Sequence, residues 1–207
     1  MTSERRLWLV RHGETEGQSS IRFHGANDVP LSEVGRNQIR ALLPVLAGVP
    51  FAQVVHSPLS RAVESARLLT AGLRENGSAV ADPSTDERLR EISFGACEGM
   101  TREEITAAFP TFWADYDAGR IEAFPEGEPR SQFAARVASA VRDMVAEPWQ
   151  GDALLVAHRG IVRHAIMQLL QDETADRSRY AVDLASVSVL RETGEGWQLE
   201  LLGMTGG

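Results

Sequence analysis

Ala153-Leu154-Leu155-Val156-Ala157 is an unbroken apolar run of strand length, and it stops at a histidine, His158. Consecutive rather than alternating apolar positions fit a strand covered on both faces, as in a parallel sheet flanked by helices. Before it, Phe133, Val137, Val141 and Met144 recur at helical spacing; after it, residues 161–170 read as another helix. The same order appears earlier in the chain. Leu7-Trp8-Leu9-Val10 is a short apolar strand, and Leu31-Ser32-Glu33 opens a helix carrying Ile39, Leu42, Leu43 and Leu46 on one face. Ser32 is its expected N-cap, and Pro44 is expected to kink or end it, because proline has no amide hydrogen to donate. Residues 52–56 form a second strand, and Pro58 starts a helix with Ala62, Ala66 and Leu69 inward and Gly72 marking its decline. Residues 185–190 and 197–202, separated by Thr193-Gly194-Glu195-Gly196, form a terminal hairpin.

Strands alternating with helices specify an α/β fold: a three-layer sandwich with a mostly parallel central sheet, one antiparallel strand, and helices on both faces. A small helical excursion over residues 95–130, broken by Pro110, Gly119, Pro125, Gly127 and Pro129, is expected to lie over the active site. The 207 residues fit a single domain spanning 1–207. With 43% hydrophobic and 24% charged residues, disordered and collagen-like classes fall away. No apolar run approaches the roughly 20 residues needed to span a bilayer. Met1-Thr2-Ser3-Glu4-Arg5-Arg6 leads into too short an apolar stretch for a secretory leader, so the expected location is cytoplasmic. A lone cysteine, Cys97, excludes an internal disulfide framework and zinc-ribbon patterns.

The net charge of -8 speaks against a nucleic-acid partner. It does not exclude a phosphorylated substrate, because screening confines surface charge to roughly 8–10 Å. In open α/β sheets ligands bind beyond the carboxyl ends of the strands. Two strands end at His12 and His158. Either histidine alone is more often a structural or surface residue. The context raises their weight: Arg11 precedes His12, Gly13 allows close backbone approach, and Arg61 follows the strand-to-helix turn His56-Ser57-Pro58-Leu59-Ser60. His12, His24, His56, His158 and His164 are scattered without metal-ligand spacing, so no metal and no other cofactor is expected. His56 and His164 read as structural or surface residues.

Leu9-Val10-Arg11-His12-Gly13-Glu14-Thr15 resembles the signature of the histidine phosphatase superfamily, the phosphoglycerate mutase-like family. The likeness continues in order through Arg22-Phe23-His24-Gly25-Ala26-Asn27-Asp28-Val29-Pro30-Leu31, Ser57-Pro58-Leu59-Ser60-Arg61-Ala62, Leu89-Arg90-Glu91-Ile92-Ser93-Phe94-Gly95 with Glu98-Gly99, and Val156-Ala157-His158 with Gly160. The resemblance implies a phosphomonoester hydrolase acting on a small phosphorylated metabolite through a phosphohistidine on His12. To attack, His12 must be neutral, with its second nitrogen donating to a fixed acceptor such as a backbone carbonyl. Arg11, Arg61 and His158 would hold the phosphate oxygens, His158 being most useful when protonated. Glu91 is the expected general acid for the leaving oxygen, with Glu14 and Glu98 as rivals. Gln18, Arg22, His24 and Gly25 are the candidate substrate-binding residues.

The chain departs from the family pattern at several places. Gln18 stands where Asn is common, Cys97 where Trp often precedes Glu-Gly, implying looser packing, and Gly127-Glu128-Pro129 where Gly-Glu-Ser is usual. Arg159 replaces a small residue and is expected to point to solvent. The excursion is short and acidic and is expected to wall the pocket, which favours a phosphatase over the alternative, a bisphosphoglycerate-dependent mutase. A phosphate-binding regulatory module without turnover is the second alternative. The terminal hairpin offers an edge on which a homodimer can pair.

Overall fold

Strand β4 (Asp152–Ala157) lies between β1 (Arg6–Arg11) and β2 (Phe51–His56) and runs parallel to both. The computed structural model describes residues 5–146, 149, 151–172, 174 and 179–206, so part of the stretch read for a leader lies outside the described residues. Every side chain of β4 is buried, as expected for a strand covered on both faces. Beyond β2 sits β3 (Pro83–Thr85), also parallel. On the other side of β1, β5 (Ser186–Thr193) pairs antiparallel, and β6 (Gly196–Thr205) pairs antiparallel with β5. The order is β3-β2-β4-β1-β5-β6, and β5 alone runs against the other five.

Successive residues divide between two layers, following the two-residue period of a strand. Leu7, Leu9, Leu155 and Ala157 join the core under α6 (Arg130–Ala146) and α7 (Arg159–Leu169). Trp8, Val10, Leu154 and Val156 join the opposite core under α1 (Glu33–Ala41), α2 (Leu43–Leu46) and α3 (Ser60–Glu75). The connections from neighbouring strands β1 and β4 therefore leave on opposite faces, which opens a crevice at their carboxyl ends.

Ser32 caps α1 by accepting from the Gly35 amide at 3.1 Å. Pro44 acts at a break: α1 stops at Ala41 and α2 restarts at Leu43, with the proline in its first turn, where its missing amide hydrogen is harmless. Gly72 does not end its helix. Helix α3 continues to Glu75, and a Cβ at Gly72 would sit 2.6 Å from Leu43 Cδ1, so this glycine lets α2 pack closely on α3. The hairpin strands are longer than expected, and Thr193 pairs Gly196 across a two-residue turn. Strand β3 escapes the sequence reading because it is three residues long and begins with proline.

The excursion contains α4 (Arg102–Ala108) and α5 (Phe112–Asp117) and has a small core of its own. There Phe112 and Phe124 lie 4.6 Å apart between ring centroids, and Phe94 and Phe124 lie 4.7 Å apart. Cys97 is fully buried in this cluster with Ile105, which corrects the looser packing expected at that position. Among the described residues no helix is long and apolar enough to cross a membrane.

Candidate active site

The strand register brings the site together. Arg11 lies opposite Ala157 and His56 opposite Val156, so β1, β2 and β4 end level and deliver His12, His158 and Ser57 to one edge. The His12 amide donates to the Ala157 carbonyl and its own carbonyl accepts from Ala185, both at 3.0 Å. A Cβ at Gly13 would lie 2.4 Å from the Gly35 carbonyl oxygen, so only glycine lets the chain turn against the first turn of α1.

His12, 4% exposed, donates from Nδ1 to the Gly13 carbonyl at 2.7 Å, which leaves the Nε2 lone pair for the pocket. Its ring lies 5.1 Å from that of His158 between centroids, at 63°. Burial, then the charges of Arg61 and Arg11, hold His12 well below its ordinary pKa. Burial and Arg61 do the same to His158. The sequence reading makes His158 most useful when protonated; burial and Arg61 disfavour that charged form, and a bound dianion is what would favour it.

This pair makes stability depend on pH. Both rings have folded-state pKa values below the unfolded one, so in acid the unfolded chain binds more protons. The stability carried by the neutral rings is complete above about pH 6.5 and declines as pH falls below it, by up to about 1.4 kcal/mol per pH unit for each ring. Thermal melts from about pH 7.5 down to about pH 5 should show a falling Tm, with a shallower fall in His12→Ala. Equal slopes in the two proteins would count against a buried neutral His12.

Arg61 is 2% exposed and donates from its two terminal nitrogens to the carbonyls of Asn27 and Gly25, each at 2.7 Å. Gly25 has φ +52°, and a Cβ there would meet the Ile92 carbonyl at 2.6 Å. Arg11 donates to the Val182 carbonyl at 3.0 Å; burial, then Arg159, push its pKa down to about 9. His158 Nε2 shares a 2.7 Å hydrogen bond with Ser57 Oγ. Arg11 Nε, Arg61 Nε and His158 Nδ1 are buried without a partner, and all three residues line one pocket with His12.

Three carboxylates that the sequence alone does not separate part company here. Glu91 lines the pocket, its Oε2 accepting from the Gly160 amide and its Oε1 from the Ile92 amide, both at 3.0 Å. Gly160 is required beside it, since a Cβ would lie 2.4 Å from Glu91 Oε1. Glu14 accepts from the Thr15 amide at 2.8 Å and is outside the lining. Glu98 Oε1 accepts from Ala26, Phe94 and Ser93 and so ties two loops together.

The candidate substrate-binding residues divide as well. Gly25 and His24 line the pocket, although His24 Nε2 donates to the Gly17 carbonyl at 2.6 Å. Arg22 lines it while engaged with the Gly99 carbonyl at 2.6 Å and Glu104 at 3.0 Å. Gln18 is exposed, has φ +61° in a turn closed on the Thr15 carbonyl, and is not in the lining.

The wall itself corrects the sequence reading. Of residues 95–129 only Tyr116 reaches the pocket. The rest of the outer wall comes from the loop after β1 and from α7, where Arg159, Arg163 and His164 face the cavity. His164, read as structural or surface, lines the pocket, with Nδ1 donating to the Gly160 carbonyl at 2.8 Å and the ring edge-on to Phe133. Arg159 is exposed as expected but stands at the pocket mouth. The i, i+4 spacing of the two arginines was the available signal. His56 is buried, with Nδ1 donating to the Ser57 carbonyl at 2.9 Å. Among the described residues no three His, Cys, Asp or Glu side chains converge as metal ligands would.

The family model described as histidine phosphatase superfamily (branch 1) matches residues 7–205. The chain is 31% identical over 203 residues to an acid phosphatase of Mycobacterium tuberculosis, covering 97% of this chain and 93% of that protein. It is 34% identical over 174 residues to a glucosyl-3-phosphoglycerate phosphatase of Mycolicibacterium vanbaalenii, covering 80% and 74%. The native structure of a mycobacterial glucosyl-3-phosphoglycerate phosphatase superposes with a TM-score of 0.81 at 30% identity, covering 97% of this chain and 99% of that one.

Proposed function

The chain belongs to the histidine phosphatase superfamily and is a phosphatase, and from that premise we propose that it hydrolyses a small soluble phosphomonoester through a phosphohistidine on His12 Nε2. The observation that carries the reading is the set of unpartnered nitrogens on Arg11, Arg61 and His158 in the pocket that holds His12. A buried donor without a partner costs about 1–3 kcal/mol, and a phosphoryl group supplies the missing acceptors.

In the first step Nε2 attacks phosphorus while the bond from phosphorus to the leaving oxygen breaks, and Glu91 gives that oxygen a proton. Water then attacks the phosphohistidine, Glu91 takes the proton from the water, and the P–N electron pair returns to Nε2. Arg11 and Arg61 hold the equatorial oxygens, where negative charge is concentrated. Incubation with a radiolabelled phosphomonoester, quenched in alkali because phosphohistidine is acid-labile, should trap label on the protein. Isomerisation of a phosphoglycerate faster than phosphate release would instead mark a mutase, and no trapping with no phosphate release would mark a binding module.

Glu91→Gln tests the proton donor. It should slow alkyl phosphates by about two decades and p-nitrophenyl phosphate much less, because a good leaving group needs no proton. Glu14→Gln should stay within a few-fold of wild type. Equal losses on both esters in Glu91→Gln would remove Glu91 from the role of acid.

The net charge of -8 supports a small ester rather than a nucleic acid as substrate. The edge position of β6 supports pairing of two copies there, which sedentary monomer mass in light scattering would contradict.

A further inference from the structure

We infer that Ser57 is a positioning residue: its hydroxyl donates to His158 Nε2 and so fixes the ring as the tautomer that offers Nδ1–H to the phosphoryl group. The use of that N–H rests on the reading of the pocket as a phosphoryl site, whereas the tautomer itself does not.

The strand ends set the pair. The Ser57 amide donates to the carbonyl of Val156 at 3.1 Å, just ahead of His158, so the end of β2 is tied to β4 where the ring is attached. Ser57 is fully buried and His158 is 1% exposed, so each polar side chain must find its partners inside the protein or in a ligand. His158 Nε2 lies 2.7 Å from Ser57 Oγ, and Nδ1 is buried without a partner, which makes it the ring nitrogen left for a ligand in the pocket that His158 lines.

Heavy-atom positions allow the ring proton on either nitrogen, and the remaining partners separate the two cases. Ser57 Oγ also accepts from the Leu59 amide at 3.3 Å, and among the described residues it has no further partner. With the proton on Nε2, Ser57 Oγ would accept twice and its own O–H would have no acceptor. Nδ1 would then hold out a bare lone pair, which repels an anion. With the proton on Nδ1, the hydroxyl accepts once and donates once, and the ring keeps a free N–H for a phosphoryl oxygen. Burial, then Arg61, disfavour a charged His158. A neutral ring of fixed tautomer donates to an equatorial oxygen without needing that charge.

Nitrogen NMR of the free, isotope-labelled protein at about pH 7.5 tests this, with His158 assigned from its backbone connectivity. Nδ1 should resonate as a protonated ring nitrogen and Nε2 as a bare one, and Ser57→Ala should lose that pattern. The reverse pattern, or a doubly protonated ring, in wild type would overturn the inference. In kinetics with p-nitrophenyl phosphate, Ser57→Ala should lower kcat about ten- to hundredfold and change KM less, because the contact serves the transferring group. In a His158→Ala background the same change should cost less than about threefold, since Ser57 acts through that ring. An equal loss in both backgrounds would make Ser57 merely structural and overturn the inference. No label trapped on His12, with the tautomer as assigned, would overturn the phosphatase reading and leave the role of Ser57 in fixing the ring.

Discussion

His12→Ala should trap no label after an alkaline quench and should lose about four decades or more in kcat/KM. In the proposed mechanism the substitution removes the atom that forms the covalent intermediate, and among the described residues no neighbour is placed to replace it. His158 is the nearest ring, but its Nε2 is held by Ser57 and its centroid is 5.1 Å from that of His12. Loss of a nucleophile typically costs several decades, with the remaining acceleration due to binding and charge stabilisation. The variant should fold, because the hydrogen bond of the His12 ring is a local one, to the carbonyl of the next residue. Vanadate or phosphate should still raise its Tm, since Arg11 and Arg61 are unchanged. Normal phosphate release in His12→Ala would show that water attacks the substrate directly.

Arg61→Ala should lose about three decades in kcat/KM, with kcat affected as well as KM. A fully desolvated guanidinium offers more than one charge-assisted contact to the transferring group, at about 1.5–3 kcal/mol for each, and every 1.4 kcal/mol is about tenfold in rate. The same change should also destabilise the fold by about 2–4 kcal/mol. Arg61 is among the largest fully buried side chains, and its removal leaves the Gly25 and Asn27 carbonyls without their donor. Arg61→Lys separates the two effects: it keeps the charge but cannot span both carbonyls and the phosphate, so it should recover some stability and little activity. An Arg61→Ala enzyme within tenfold of wild type would remove this residue from the phosphate cradle.

The contrast between what was legible and what was not has a physical basis. β1 and β4 were legible because a strand covered on both faces must be apolar at consecutive positions, and their last residues then locate His12 and His158 without further information. Helix caps and breaks at Ser32 and Pro44 are local chemistry and follow from two or three residues. The outer wall of the pocket was not legible. Periodicity identifies the apolar face of α7 through Ile161, Val162, Ala165 and Ile166, but it does not say whether the polar face meets solvent or a cavity, so Arg159 and His164 went unrecognised as lining. Glu91 could be separated from Glu14 and Glu98 only once Gly160 and the end of β4 were in place around it. Gly72 misled because glycine is common both past helix ends and at close helix crossings, and only the position of Leu43 decides between them.

The placement of β4 between β2 and β1 also has a temporal consequence. Roughly 150 residues separate His12 from His158, which at roughly 5–20 residues per second is on the order of ten seconds of synthesis. Until β4 is made, β1 and β2 have no common neighbour, the backbone of His12 lacks its Ala157 partner, and the future phosphate cradle is two unconnected turns. A nascent or C-terminally shortened chain ending before β4 therefore has His12, Arg11 and Arg61 yet no strand to hold them at one edge. Phosphate release from this protein is a report that β4 has been inserted between β2 and β1.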